Sequence, residues 1–122
     1  RSSHFQLDRQ CQLLYRSIVL QGSQTKTNYL YADSQIVLDR LDTDMRDELI
    51  FSRQPIGKLL RDNKIETYRE ILDCGIEAAG FIGQYFNIEP QAELIYRTYL
   101  VLIDGLPVMK ITEKFPTTHF VD

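Results

Sequence analysis

Cysteine is scarce and scattered in this chain. Cys11 and Cys74 form no C-x-x-C pair and stand beside no cluster of histidines. That spacing argues against a disulfide framework and against a zinc site, so the expectation is reduced thiols in an intracellular protein with no bound metal. A basic stripe is missing as well. The formal net charge is −3 with lysines and arginines spread thinly, so nothing here would neutralise a phosphate backbone, and nucleic acid is not an expected partner. No apolar run approaches the roughly 20 residues that cross a bilayer. No cationic start followed by an apolar stretch marks a signal peptide, so no membrane partner is expected either. Repeats, low-complexity tracts and linkers rich in glycine, proline or serine are also lacking.

What remains is a chain of 122 residues, 43% of them hydrophobic. That is enough for one domain with a real core, taken as 1–122, and too little for two. The chain starts at Arg1, not at methionine, which suggests processing, trimming or a fragment.

Leu13 to Gln21 alternates as a strand does, with Leu14, Arg16, Ile18 and Leu20 on one face and Tyr15, Ser17 and Val19 on the other. A polar loop over Gly22 to Thr27 leads to a second strand, Asn28 to Leu38, and the two read as a hairpin. Thr43-Asp44 reads as a helix start ahead of Met45, Leu49 and Ile50. A second short helix should open at Pro55, since Ile56, Leu59 and Leu60 repeat on one side. Lys64 to Gly75 fits either a strand or a helix and leans to strand. Ala78 to Phe86 reads as helical despite Gly80 and Gly83, with Asn87 to Pro90 ending it. Antiparallel hairpins with helices between them define an α+β class.

The C-terminal part carries the best clue to chemistry. Arg97 to Ile103 and Leu106 to Phe115 flank Asp104-Gly105, a dipeptide suited to a two-residue turn. A register fixed by that turn alone sets Tyr99 opposite Lys110 and Arg97 opposite Thr112 on a largely polar face. Glu113 then falls among Leu100, Leu102, Met109, Ile111 and Phe115 on the core face. A buried acid needs a partner or a purpose.

Arg16, between Leu14 and Ile18 on the more apolar face of the first strand, poses the same problem with opposite sign. One answer is a buried Arg16–Glu113 ion pair, which adds little net stability because desolvation offsets the attraction. The other is a pocket in which the planar fork of Arg16 holds a substrate carboxylate. Glu113 would then face the reacting end, its pKa free to rise toward neutrality as general acid–base work requires. A third element is Gln54-Pro55-Ile56-Gly57-Lys58. The amides of Ile56 and Gly57 would be unpaired helix-start donors able to meet an anion, although Pro-x-Gly is more often a plain turn.

The order of these segments resembles the chorismate pyruvate-lyase family, with its archaeal, cyanobacterial and plastid-encoded relatives, which shares its fold with the effector-binding domains of some bacterial repressors. The resemblance rests on Leu14-Tyr15-Arg16-Ser17-Ile18-Val19-Leu20, Tyr31-Ala32-Asp33-Ser34-Gln35-Ile36, Pro55-Ile56-Gly57-Lys58-Leu59-Leu60, Thr67-Tyr68-Arg69-Glu70 and Gly105 to Pro116, across about residues 13 to 120. It implies an antiparallel sheet with helices covering a buried ligand pocket. It also implies a lyase without cofactor or metal that removes pyruvate from chorismate and leaves 4-hydroxybenzoate. By the same resemblance Arg16 binds the ring carboxylate with help from the Ile56 amide beside Gly57. Glu113 contacts the ring oxygen that becomes the phenol and serves as the catalytic group. The location implied is cytoplasm, or plastid stroma for a plastid-encoded member.

This sequence departs from the family pattern in three places. Ser17 and Ser34 stand where the best-known bacterial members have an acid and a second arginine. Most of the segment preceding the arginine strand is lacking, and the connection from Gly75 to Leu94 is longer. Serine at position 34 leaves a dianionic substrate one guanidinium from these two strands, with Lys58, Arg61 and Arg69 either as substitutes or as solvated surface charges. A non-catalytic domain binding an aromatic carboxylate on the same fold is therefore the alternative reading. His4 and His119, near the termini, read as incidental surface residues, and the tyrosines as sheet and core residues.

Overall fold

The computed structural model describes residues 11–22 and 27–117, so His4 and His119 lie outside the described residues. The chain forms β1 (Leu13–Gln21), β2 (Asn28–Val37), α1 (Thr43–Phe51), α2 (Ile56–Asp62), β3 (Tyr68–Ala78), β4 (Glu93–Ile103) and β5 (Leu106–Pro116). The strands make one antiparallel sheet in the order β1-β2-β5-β4-β3. The α+β class expected from the hairpins is the class observed.

The alternation of apolar and polar residues in the first two strands produces the predicted hairpin, with Arg16 paired to Ser34 and Ile18 to Ala32. Asp42 caps α1 by accepting from the Met45 amide at 2.9 Å, one residue before the predicted cap. Met45 and Leu49 of α1 and Leu59 and Leu60 of α2 are buried against Ile36, Tyr99, Val101, Val108, Met109 and Ile111 of the sheet. Both helices thus cover one face. The opposite face carries a smaller cluster around Val37 and Leu100. At its other end Asn28 Nδ2 donates to the Tyr85 carbonyl at 2.7 Å and Tyr31 stacks on Tyr85.

Two ambiguous segments resolve differently from the sequence reading. The leaning to strand over Lys64 to Gly75 holds only from Tyr68, because Lys64 takes a positive φ just after α2 and turns the chain. The helical reading of Ala78 to Phe86 becomes a 3-10 helix over Gly80–Phe86, ended by Asn87 in the left-handed region. Gly83 is needed there because a Cβ would lie 2.8 Å from the Ile88 carbonyl oxygen.

The main correction concerns the last hairpin. Asp104 and Gly105 both take positive φ, as a two-residue type I′ turn requires, and Ile103 pairs with Leu106 as expected. Leu102 still pairs with Pro107, but the register then shifts so that Val101 pairs with Met109, leaving Val108 as the extra residue of a bulge. Pro107 has no N–H to give the ladder and sits beside this break. The consequence is that Arg97, Tyr99 and Val101 move onto the face of Glu113: Tyr99 opposes Ile111 and Arg97 opposes Glu113.

Candidate functional site

A cavity of about 430 Å³ lies between α2 and the helix-covered face of the sheet. Its size is that of a small-molecule site. Ile18, Ala32, Tyr99, Val101 and Ile111 supply an apolar floor, while Pro55, Ile56, Gly57 and Leu60 close it from the helix side. Glu113, Ser34, Lys58, Arg61 and Arg69 are among the polar groups that line it. A second hollow of about 460 Å³ runs along β1, beside Tyr31, Arg53 and Tyr85, and none of the described residues in its wall carries a carboxylate.

Glu113 is largely enclosed, its side chain 13% exposed, and each oxygen has a donor. Arg97 Nε donates to Oε1 at 2.7 Å and the Tyr99 hydroxyl donates to Oε2 at 2.8 Å. Two donors suit a carboxylate, which only accepts, and they fix its plane within the wall. Burial of Tyr99 raises its pKa far above the ordinary phenol value, and the neighbouring Glu113 charge adds to the effect. Tyr99 therefore stays a neutral donor. Sequence reasoning missed both partners, because Arg97 and Tyr99 reach this face only through the bulge at Val108.

Arg16 makes no ion pair with Glu113. Its Nη2 donates to the carbonyls of Ser52 at 2.9 Å and Gln54 at 2.8 Å, which ties the α1–α2 connection down onto β1. That connection delivers Pro55, the residue before α2, so Arg16 holds the helix start over the sheet. Burial lowers the pKa of Arg16, and its Nη1 is buried without a hydrogen-bond partner. Arg16 and Glu113 share a sheet face two strands and two residues apart, or about 12 Å between Cα atoms by strand spacing. Arg16 borders the cavity through its cross-strand neighbour Ser34 and is not itself among the residues of the cavity wall.

At the start of α2, the amides of Ile56, Gly57 and Lys58 have no acceptor inside their own helix. Both Ile56 and Gly57 line the cavity. Among the described residues, no cluster of histidine, cysteine, aspartate or glutamate could hold a metal ion, and no helix is long and apolar enough to cross a membrane.

An antiparallel sheet closed by helices over a polar-ended cavity defines a small-molecule-binding fold. Solved structures share it at low identity. The C-terminal domain of Yurk from Bacillus subtilis superposes with a TM-score of 0.72 at 12% identity, covering 96% of this chain and 80% of that one. A GntR-family transcriptional regulator from Enterococcus faecalis gives 0.68 at 12% identity, covering 99% and 86%. The chorismate pyruvate-lyase Rv2949c-like family model matches residues 3–120, and the chain belongs to that family. It is 30% identical over 111 residues to the chorismate pyruvate-lyase of Mycobacterium leprae and 27% identical to that of Mycobacterium tuberculosis, covering 90% of this chain in each case. A putative lyase of Methanocaldococcus jannaschii is 28% identical over 105 residues, covering 83% of this chain and 56% of its own length. The chain spans 53% and 56% of the two mycobacterial proteins, about half the length of each.

Proposed function

We propose that this domain binds chorismate in the cavity between α2 and the sheet and releases pyruvate, leaving 4-hydroxybenzoate. The observation that carries the reading is Glu113, an enclosed carboxylate oriented by two donors in the wall of a largely apolar cavity. Chorismate is a dianion whose ring becomes aromatic when the enolpyruvyl C–O bond breaks and a proton leaves the neighbouring ring carbon. Positioning and proton management are the main demands, and no cofactor is invoked.

In this reading the wall beside Ser34 opens on binding, so that the ring carboxylate meets Arg16 through Nη1, the buried nitrogen without an acceptor, together with the amide of Ile56. Gly57, with no side chain, lets the ring approach the helix start. Glu113 accepts from the ring hydroxyl that becomes the phenol and steadies it as the ether bond breaks, so that the departing enolpyruvate takes up a proton and leaves as pyruvate. The test is to incubate the full-length protein with chorismate and follow 4-hydroxybenzoate. Release of product supports the lyase, and its absence from a folded protein removes it.

Ser34, where the better-known bacterial lyases carry a second arginine, favours one alternative: a domain of the same fold that binds an aromatic carboxylate without turning it over. Saturable calorimetric binding of 4-hydroxybenzoate with no conversion of chorismate would select it.

A further inference from the structure

We infer that Arg61 and Arg69 form a second anion subsite at the mouth of this cavity, so that the site selects ligands with two carboxylates over ligands with one. The inference rests on the reading of the cavity as a ring-carboxylate site and adds to it the residues that recognise the second charge.

Among the described residues, four charged side chains line the cavity: Lys58, Arg61, Arg69 and Glu113.

 Lys58 is neutralised by Asp62, four residues on in α2, with Nζ 2.6 Å from Oδ2. Glu113 is neutralised by Arg97 at 2.7 Å. Arg61 and Arg69 have no carboxylate within ion-pair distance among the described residues, so after pairing the wall keeps two uncompensated guanidinium groups. Both are free to meet the second carboxylate of a dianion.

Their placement also fits a subsite. Arg69, at the start of β3, lies with its guanidinium 5.0 Å from the centre of the Tyr99 ring, whose hydroxyl holds Glu113. Arg61, in the last turn of α2, reaches back along the helix until Nη1 is 3.6 Å from where a side chain on Gly57 would begin. One cation thus leans toward the Glu113 end and the other toward the helix start. Both are exposed, which puts the second carboxylate at the rim while the ring sits on the apolar floor. The guanidinium fork suits a carboxylate. Ser34 leaves β2 without a cation at the position noted above, and Arg61 and Arg69 supply the charge from the opposite wall instead.

The test uses two unreactive probes that differ only in the second charge: 3-(carboxymethoxy)benzoate and 3-methoxybenzoate, titrated into the full-length protein by calorimetry. The wild type is expected to bind the dianion about tenfold or more tightly than the monoanion, an advantage that shrinks with added salt. Arg61→Gln/Arg69→Gln should lose that preference and keep its affinity for the monoanion within about twofold, while Arg61→Lys/Arg69→Lys retains most of the preference. Arg61→Gln alone, at an exposed position, should lower it partly, which provides a reading if the double variant fails to fold. An unchanged preference in the glutamine variants, or equal wild-type affinity for both probes, overturns the subsite and leaves the cavity reading standing. A wild type that binds neither probe overturns both.

Discussion

Arg97 lies directly across the β4–β5 ladder from Glu113 and donates to it from Nε at 2.7 Å, on the side where Tyr99 holds the other oxygen. The pair is unequal in exposure, with the arginine side chain 48% exposed and the carboxylate 13%. Glu113→Gln should leave the fold intact, because an amide still accepts from Tyr99, and should reduce 4-hydroxybenzoate formation by about 10²- to 10⁴-fold. Parallel activity assays and thermal melts separate these effects. Arg97→Gln should lower kcat more than it raises KM, as expected of a group that orients Glu113 without touching the ring.

Arg16→Met should cost stability as well as ligand binding. It strips the donor from the Ser52 and Gln54 carbonyls, a loss of about 1–3 kcal/mol if either acceptor stays dry. Chemical denaturation of the unliganded protein checks the first effect, and titration with 4-hydroxybenzoate checks the second.

Gly57→Ala should separate stability from binding in the opposite sense. A Cβ there would meet Arg61 Nη1 at 3.6 Å, an ordinary contact, and alanine in a helix is favoured over glycine by about 1 kcal/mol. The melting temperature should hold or rise. A methyl group at the cavity wall should weaken 4-hydroxybenzoate binding, which calorimetry on the same variant measures.

Tyr99 sets an alkaline limit. Its pKa is raised from an ordinary value of 10.0 by burial and by Glu113, so the folded state keeps a proton that the unfolded chain releases. Its contribution to stability is complete below about pH 10 and declines as pH rises above that value toward the folded pKa. Denaturation midpoints measured from pH 8 to pH 11 should therefore fall at the alkaline end. Tyr99→Phe should flatten that fall and slow product formation by removing a donor to Glu113.

Much of this arrangement was legible in the sequence because strand alternation is a strong local signal. The bounds of β1 and its hairpin with β2 follow from it, and Asp104-Gly105 announces its turn. The partners of Glu113 were not legible. Counting outward from the turn puts Arg97 on the wrong face, and only the bulge beside Pro107 restores it. The role of the Arg16 guanidinium in holding Ser52 and Gln54 was hidden for another reason: it depends on where a loop far along the chain comes to rest. Arg61 and Arg69 were visible as cations, but their common cavity arises from the packing of α2 over the sheet.

The most direct test of the account is a crystal structure of the protein soaked with 4-hydroxybenzoate. The account predicts the ring between α2 and the sheet, its carboxylate on Arg16 Nη1 and the Ile56 amide, and its phenol oxygen on the carboxylate of Glu113. Density for the ligand elsewhere, or a ring in this cavity with neither end on those groups, would contradict it.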